Sequence, residues 1–216
     1  LVWSIVNHRE TNEPEPKSLS AAFDIVAIAS SAGGLKALIQ VLSQLPAHFP
    51  AAIAIVQHLD PKHRSLMADI LRRRTPLQVK QAETGDRLTP GMVSIAPPNY
   101  RLLVNPDRSL SLTQSELVHF LRPSADLMFE SVAASYKDRA IAVVLSGTGS
   151  DGALGVQAIH EKGGTVIAQD QDTSEYFGMP SAAIRTGAVD CVLPLSDIAC
   201  TLIELTMHPS DPDRNI

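Results

Sequence analysis

The sequence predicts an α/β fold: a doubly wound, mainly parallel β-sheet with helices on both faces and an antiparallel hairpin insertion at about 77–113. Two features predict this class. Short apolar runs without polar alternation recur along the chain, which is typical of strands covered on both faces. Segments with apolar residues at helical spacing follow most of these runs. Because strands that alternate with helices of ten or more residues need crossover connections, the sheet is expected to be parallel.

Length and composition favour one domain. The chain has 216 residues, of which 44% are hydrophobic, and this is enough for one substantial core. We expect the domain over 23–207, a flexible N-terminal tail or linker over 1–22, and a C-terminal tail over 208–216. The N-terminal segment is rich in glutamate and proline, as solvated segments are.

Charge and cysteine content exclude several classes of protein. The formal net charge is −5 at pH 7, whereas nucleic acids and anionic membranes favour a basic surface. The sequence has no apolar run long enough to span a bilayer. Its two cysteines, Cys191 and Cys200, have no metal-ligand spacing and fit a reducing compartment. We therefore expect a cytoplasmic protein with no nucleic-acid partner and no membrane insertion.

The first strand–turn–helix unit is the clearest element. The apolar run at 23–29 has the length and β-branched content of a buried strand, and Ser30 to Gly34 then form a small, polar turn. From Leu35 onward the apolar residues have the spacing of one helix face. The start of that helix offers unpaired N–H groups and the positive end of its dipole. A hydroxyl in the turn therefore lies beside an anion site.

The same patterns predict the other elements. Strands are expected at 51–56, 140–145, 165–168 and 189–193. Helices are expected at about 66–74, 124–136 and 152–161, shortly after Gly178-Met179-Pro180, and at 196–207. Ser124 is the predicted N-cap of its helix, and the inward face of the helix at 152–161 is predicted to contain Leu154, Ala158 and Ile159. The antiparallel insertion is expected to comprise β-like segments at 92–96, 101–104 and 110–113.

Residues that can take part in catalysis follow three of the predicted strands. Ser31 follows the first predicted strand, His58 the second, and Asp151 the apolar run at 140–145. Functional residues of a parallel sheet gather beyond the carboxyl ends of its strands, so these side chains are expected at one edge. A serine hydroxyl needs a base to accept its proton, and the imidazole needs a carboxylate that fixes its tautomer. Ser31, His58 and Asp151 are the predicted nucleophile, base and acid.

Each of these residues also has a simpler interpretation. Serine and aspartate are preferred helix N-caps, so Ser31 and Asp151 could serve their own helices, and His58 could be structural. Ser30 is the alternative nucleophile, because the choice between the two serines depends on geometry. The alternative acids are Asp60, Asp170 and Asp172.

Backbone N–H groups near the same edge are candidates for an oxyanion site. They belong to Ala32 in the turn after Ser31, and to Thr148 and Gly149 in the glycine-rich loop that follows the run at 140–145. Such donors stabilise the negative oxygen of a tetrahedral intermediate, and losing one typically lowers the rate by roughly 10²- to 10³-fold.

Six motifs occur in order along the chain: Ala29-Ser30-Ser31-Ala32-Gly33-Gly34, Val56-Gln57-His58, Ser94-Ile95-Ala96-Pro97-Pro98, Arg122-Pro123-Ser124-Ala125-Asp126, Leu145-Ser146-Gly147-Thr148-Gly149-Ser150-Asp151-Gly152 and Phe177-Gly178-Met179-Pro180. Together they resemble the catalytic domain of the chemotaxis-receptor methylesterases of the CheB type, over about 23–195. The resemblance implies that Ser31, His58 and Asp151 are the catalytic residues, and it implies no metal or organic cofactor.

The resemblance also implies an activity and partners. Members of the family hydrolyse γ-glutamyl methyl esters on the cytoplasmic helices of chemoreceptors, with deamidation of particular glutamines as a related activity. The implied partners are therefore methylated chemoreceptor helices. A receiver, methyltransferase or sensor module, in the same chain or another, is a further implied partner.

The sequence departs from the family pattern near the predicted site. The family usually has Gly-Ala-Ser-Thr-Gly-Gly at 29–34. Relative to that pattern, Ala29 adds a Cβ where the family has glycine, and Ala32 lacks the hydroxyl of the family's threonine. At position 148 the family commonly has methionine, whereas this chain has threonine. These departures leave open a catalytically weakened CheB-like interaction or regulatory domain. A nucleotide-binding α/β module is the less favoured alternative. The Gly-X-Gly-X-X-Gly spacing is missing, and His58 stands where an acidic residue would bind a ribose.

Overall fold

The computed structural model describes residues 23–58, 66–114 and 124–207. Within these ranges the strands are β1 (Ile25–Ser30), β2 (Ala52–Gln57), β3 (Gln78–Gln81), β4 (Met92–Ile95), β5 (Arg101–Val104), β6 (Leu110–Thr113), β7 (Ala140–Val144), β8 (Thr165–Gln169) and β9 (Cys191–Leu193). The α-helices are α1 (Gly34–Gln44), α2 (Met67–Arg72), α3 (Ala125–Tyr136), α4 (Ala153–Glu161), α5 (Gly178–Arg185) and α6 (Leu195–Met207). The tails predicted at 1–22 and 208–216 lie outside the described residues and stay predictions.

Seven strands form one parallel sheet in the order β3-β4-β2-β1-β7-β8-β9. β1 lies at the centre, where Ala27 is paired with Ala54 of β2 and with Ala142 of β7. Every residue of β1 and of β2 is buried, which explains why neither strand alternates polar and apolar residues. The predicted parallel sheet is confirmed.

Helices cover both faces of this sheet. Val26 and Ile28 of β1 pack in a core with α1, α2 and α6. Ile25, Ala27 and Ala29 point to the other face, because side chains alternate along a strand, and they pack in a second core with α3, α4 and α5. The hairpin β5–β6 also contributes buried leucines to this second core. The doubly wound arrangement that the sequence predicts is therefore confirmed.

The antiparallel part of the structure is smaller than predicted. Among the described strands, β5 and β6 pair antiparallel, within 101–113. The segment 92–96 lies mostly in β4, which is parallel to β2, and β3 extends the sheet beside β4. The turn residues at 97–99 thus connect the main sheet to a separate hairpin. A short apolar run contains no feature that sets strand direction, and this is why the prediction is wrong for β4.

The inward face of α4 also differs from the predicted one. Leu154 is 55% exposed, whereas Ile159 is fully buried and Ala158 packs against the core. α4 approaches α3 at Gly155, where an added Cβ would lie 2.6 Å from the Cβ of Phe129. This close contact turns the face that contains Gly155 inward, so Leu154 faces solvent.

The N-terminus of α3 is capped as predicted. The Ser124 side chain accepts a hydrogen bond from the Leu127 N–H group over 3.5 Å. α6 begins at Leu195, one residue before the predicted start. Across the described residues, no helix is both long enough and apolar enough to cross a membrane.

We expect Gly155→Ala to lower the free energy of unfolding by about 1–3 kcal/mol, because overpacking of this size strains a close helix contact. The new methyl group would overlap Phe129 and the backbone of Asp126. Chemical denaturation measures the change. Leu154→Ala is the control, expected within about 0.5 kcal/mol of the unsubstituted protein because Leu154 is exposed. Equal destabilisation by both substitutions would contradict the described packing of α4 on α3.

Candidate active site

The loops after β1, β2 and β7 lie side by side, because these strands are neighbours in the sheet. The Ser31 N–H group donates to the Ser146 carbonyl over 3.0 Å, and the His58 N–H group donates to the Ser30 carbonyl over 3.1 Å. Backbone hydrogen bonds therefore continue past the strand ends and join the loops. The structure places Ser31, His58 and Asp151 at one edge of the sheet.

His58 and Asp151 are in direct contact. The His58 Nε2 atom lies 2.7 Å from Asp151 Oδ2, and the two side chains are 17% and 5% exposed. When the imidazole is neutral and Nε2 bears the hydrogen, Nδ1 is an acceptor. The Asp151 carboxylate thus favours the tautomer in which Nδ1 can accept a proton from another group.

The Asp151 carboxylate also binds the N-terminus of α3. The Ala125 N–H group donates to Oδ2 over 2.6 Å, and the Asp126 N–H group donates to Oδ1 over 3.1 Å. The Ser124 hydroxyl donates to Oδ1 over 3.3 Å. The first N–H groups of a helix have no partner within the helix and lie at the positive end of its dipole. Asp151 therefore caps α3, and not its own helix α4 as one interpretation of the sequence had it.

Two carboxyl groups with opposite pKa shifts lie together at this point. Burial raises the pKa of Asp151, but hydrogen bonds from His58 and from the N–H groups of Ala125 and Asp126 outweigh burial, so the net effect is a lowered pKa. Burial, followed by the charge of Asp151, raises the pKa of Asp126. Asp151 is therefore the carboxyl group that ionises more readily and can balance a positive charge on His58.

The two adjacent serines have different environments. Ser30 is fully buried, and its hydroxyl donates to Gln57 Oε1 over 2.5 Å. Ser31 is half-buried, and its hydroxyl forms no hydrogen bond with any described residue, His58 included. The structure thus brings His58 and Asp151 into contact but leaves Ser31 beside them without a hydrogen bond. A nucleophile–base hydrogen bond commonly closes only in the complex with substrate.

Gln57 fixes the turn that contains Ser31. Its Nε2 atom donates to the Ser31 carbonyl over 2.6 Å and to the His58 carbonyl over 3.2 Å. The side chain therefore ties the loop after β1 to the loop after β2. Sequence reasoning named Gln57 only as part of a motif and missed this function.

Ser146 fixes the same turn from the β7 side. Its hydroxyl donates to the Ala32 carbonyl over 2.8 Å, and its N–H group donates to Gln169 Oε1 over 2.9 Å. Gln57, Ser146 and Gln169 are all buried polar residues at the carboxyl end of an apolar run. Because buried polar groups need hydrogen-bond partners, this signal could have identified all three.

The predicted oxyanion donors lie in the two loops next to Ser31. Backbone N–H groups without an acceptor among the described residues include those of Ala32, Thr148 and Gly149. Gly147 lets the second loop come close, because an added Cβ there would lie 3.0 Å from the Ser31 Cβ and would overlap Met179. These N–H groups are thus available near the Ser31 side chain.

The alternative acids do not contact His58 in the described part of the chain. Asp170 accepts hydrogen bonds from the N–H and hydroxyl groups of Thr173, within its own turn. Asp172 is exposed. Asp60 lies outside the described residues.

A groove of about 400 Å³ opens beside Ser31. Its lining includes Leu35, Lys36 and Ile39 of α1 together with Gln57. The wall is mainly apolar, as in many binding clefts. Within 23–58, 66–114 and 124–207, no three side chains of His, Cys, Asp or Glu are grouped as metal ligands would be.

Comparison with known proteins places the chain in a family. The family model described as CheB methylesterase matches residues 26–202. A putative protein-glutamate methylesterase/protein-glutamine glutaminase of Leptospira interrogans is 40% identical over 186 residues, which are 86% of this chain and 96% of that protein. The chain belongs to the CheB methylesterase family. The resemblance inferred from the six motifs is confirmed.

Other family members agree in sequence and in fold. The crystal structure of the CheB methylesterase catalytic domain of Thermotoga maritima matches with a TM-score of 0.81 and 39% identity, covering 85% of this chain and 99% of that chain. A protein-glutamate methylesterase of Myxococcus xanthus is 41% identical over 196 residues, 91% of this chain but 57% of that protein. The chain thus spans nearly all of some CheB relatives and little more than half of others.

We expect Asp151→Asn to lower the free energy of unfolding at pH 7 by about 1–3 kcal/mol, because it removes a charge that accepts buried hydrogen bonds. Relief of repulsion with Asp126 offsets part of this loss. Folding lowers the pKa of Asp151, so its contribution to stability is present above the unfolded-state pKa of about 3.9 and is lost as pH falls through the lower folded-state pKa.

Denaturation at pH 7 and at pH 3 tests this expectation. The deficit of Asp151→Asn should shrink at the lower pH, which lies below the unfolded-state pKa, because the Asp151 carboxyl group of the unfolded chain is then largely protonated and stabilises that state. Asp172→Asn is the control and should match the unsubstituted protein at both values, because Asp172 is exposed. A deficit of the same size at both values would contradict the lowered pKa.

Proposed function

We propose that this chain is a serine esterase that hydrolyses γ-glutamyl methyl esters on chemoreceptors, with deamidation of glutamine as a second activity. The supporting observation is the 2.7 Å contact between His58 Nε2 and Asp151 Oδ2, next to Ser31, in a chain of the CheB methylesterase family. The substrate is a methylated receptor helix in the cytoplasm. Ser31 is the nucleophile, His58 the general base, and Asp151 the carboxylate that orients the imidazole.

The first half of the reaction forms an acyl-enzyme. The Ser31 Oγ atom attacks the ester carbonyl carbon while His58 Nδ1 accepts the hydroxyl proton. The resulting tetrahedral intermediate has a negative oxygen. When it collapses, the C–O bond to the methoxy group breaks, and the proton on His58 passes to the departing oxygen as methanol leaves. With a glutamine substrate, ammonia leaves in place of methanol.

The second half regenerates the enzyme. A water molecule attacks the acyl carbon while His58 accepts its proton. The bond to Ser31 Oγ then breaks, the proton returns to that oxygen, and the product is a glutamate side chain. During both halves the ionised Asp151 stabilises the imidazolium, for which its lowered pKa suits it.

The N–H groups of Ala32, Thr148 and Gly149, which have no acceptor among the described residues, are the proposed donors to the negative oxygen. Because these are backbone groups, the departures from the family pattern at Ala32 and Thr148 do not remove them. The third departure, Ala29, has its methyl group in the core with α3, α4 and α5. This favours an active esterase over the weakened interaction domain.

A receiver, methyltransferase or sensor module is the proposed regulator, in the same chain or another. The groove beside Ser31 is open at the surface, so a module placed over it would block access to the nucleophile. Family members that are longer than this chain have room for such a module.

We expect Ser31→Ala to lower kcat/KM for methanol release from a methyl-esterified receptor peptide by at least about 10³-fold, because no acyl-enzyme can form. Thermal unfolding should change little, since the Ser31 hydroxyl has no partner among the described residues. In the unsubstituted protein, mass spectrometry of an acyl-enzyme trapped with an activated ester should detect the acyl group on Ser31.

Two further serine variants complete the test. Ser43→Ala, on the exposed side of α1, should leave kcat/KM unchanged. Ser30→Ala should retain measurable activity although it loses the hydrogen bond to Gln57. Full activity in Ser31→Ala, or loss of all activity in Ser30→Ala alone, would refute Ser31 as the nucleophile. Inactivity of the unsubstituted protein would favour the weakened interaction domain.

A further inference from the structure

Each of the helices α3 and α4 is capped at its N-terminus by an aspartate that lies at the N-terminus of the other helix. Asp151 precedes α4 but accepts N–H bonds from the first turn of α3. Asp126 lies in the first turn of α3 but accepts, at Oδ1, the N–H bonds of Gly152 over 2.9 Å and of Gly155 over 2.8 Å, at the start of α4. An acidic residue in the first turn ordinarily stabilises its own helix. Here each helix caps the other.

This exchange requires close approach of the two helices. Gly155 has no side chain, and an added Cβ would lie 2.9 Å from the Asp126 carbonyl oxygen. Gly152 has a φ of +100°, a left-handed conformation that favours glycine. The two glycines therefore let the Asp126 carboxylate reach both N–H groups.

The peptide group that Asp126 holds is the one next to Asp151. Gly152 follows Asp151 directly, so its N–H group belongs to the same peptide plane as the Asp151 carbonyl. That contact fixes the backbone of Asp151, and the Ala125 N–H group fixes its Oδ2 atom. Oδ2 is also the atom that meets His58. Asp126 is thus connected through Asp151 to His58, the proposed base.

Resting on the proposed function, we propose that Asp126 is a positioning residue of the esterase: its Oδ1 atom holds the start of α4 so that Asp151 presents Oδ2 to His58. The position of the acceptor matters here, and its negative charge does not. Burial and the charge of Asp151 raise the pKa of Asp126, so a neutral acceptor fits this place. Asparagine keeps the Oδ1 acceptor, alanine removes it, and glutamate moves it by one methylene.

Steady-state kinetics on a methyl-esterified receptor peptide test this proposal. We expect Asp126→Ala and Asp126→Glu to lower kcat about 10- to 100-fold, the range that follows from a misplacement of about 1 Å. KM should stay within about 2-fold, since the Asp126 carboxylate binds the start of α4 and does not line the groove beside Ser31. Asp126→Asn should keep kcat within about 3-fold of the unsubstituted protein.

Asp190→Ala is the matched control. Asp190 also accepts a backbone N–H bond, from Val166 over 2.7 Å, but at the amino ends of β8 and β9, opposite the site. It should lose stability as Asp126→Ala does and keep kcat. If Asp126→Ala does not fold, Asp126→Glu makes the same comparison.

Two kinetic outcomes would overturn the proposal: a kcat for Asp126→Glu equal to that of Asp190→Ala, or a kcat for Asp126→Asn as low as that for Asp126→Glu. Proton NMR gives a readout that does not need catalysis. The low-field resonance of the His58 Nε2 hydrogen should persist in Asp126→Asn and be lost or shifted in Asp126→Glu. If the unsubstituted protein is inactive, the proposed function fails while this resonance still decides the positioning, and an unchanged resonance in Asp126→Glu would refute it.

Discussion

Burial of the Asp151 carboxylate is the constraint on which the site depends. A carboxylate that is 5% exposed has lost most of its hydration, and it needs hydrogen bonds or an opposite charge in return. The first turn of α3 supplies N–H groups, and His58 supplies an imidazole that can become positive. The same requirement therefore fixes where α3 meets the loop after β7 and where that loop meets the end of β2. Stability and chemistry depend on one set of contacts.

The glycines of the motifs are best understood through what fills the space beside them. An added Cβ at Gly34 would overlap the side chains of Gln57 and Ser30, and one at Gly147 would overlap Met179. The space at the first turn is thus occupied by the protein's own side chains. A phosphate-binding loop instead uses glycine to bring backbone N–H groups close to a ligand. This difference in what fills the space beside the glycines favours a packing function for the glycine pair over a phosphate-binding one.

Most of the fold follows from the sequence because buried parallel strands have a simple pattern. The runs at 51–56 and 140–145 are apolar on both faces, and residues after them reach one edge whatever the details of packing. The structural features that the sequence did not predict depend on contacts between residues that are far apart along the chain. Asp126 and Asp151 are 25 positions apart, and each caps the helix that local rules assign to the other. The direction of β4 and the exposure of Leu154 also depend on neighbours, namely β2 and α3.

The difference between the two serines shows how the core determines the chemistry. Ser30 is paired with Gln57 in the register of β1 and β2, so it is still part of the strand and its side chain is buried. Ser31 is the first residue beyond, where the Ser146 carbonyl and the Gln57 side chain bind its backbone and leave its side chain at the groove. A shift of one residue would reverse the two environments, because side chains alternate along a strand. The apolar residues of β1, which set that register, therefore select which hydroxyl is exposed, although none of them meets a substrate.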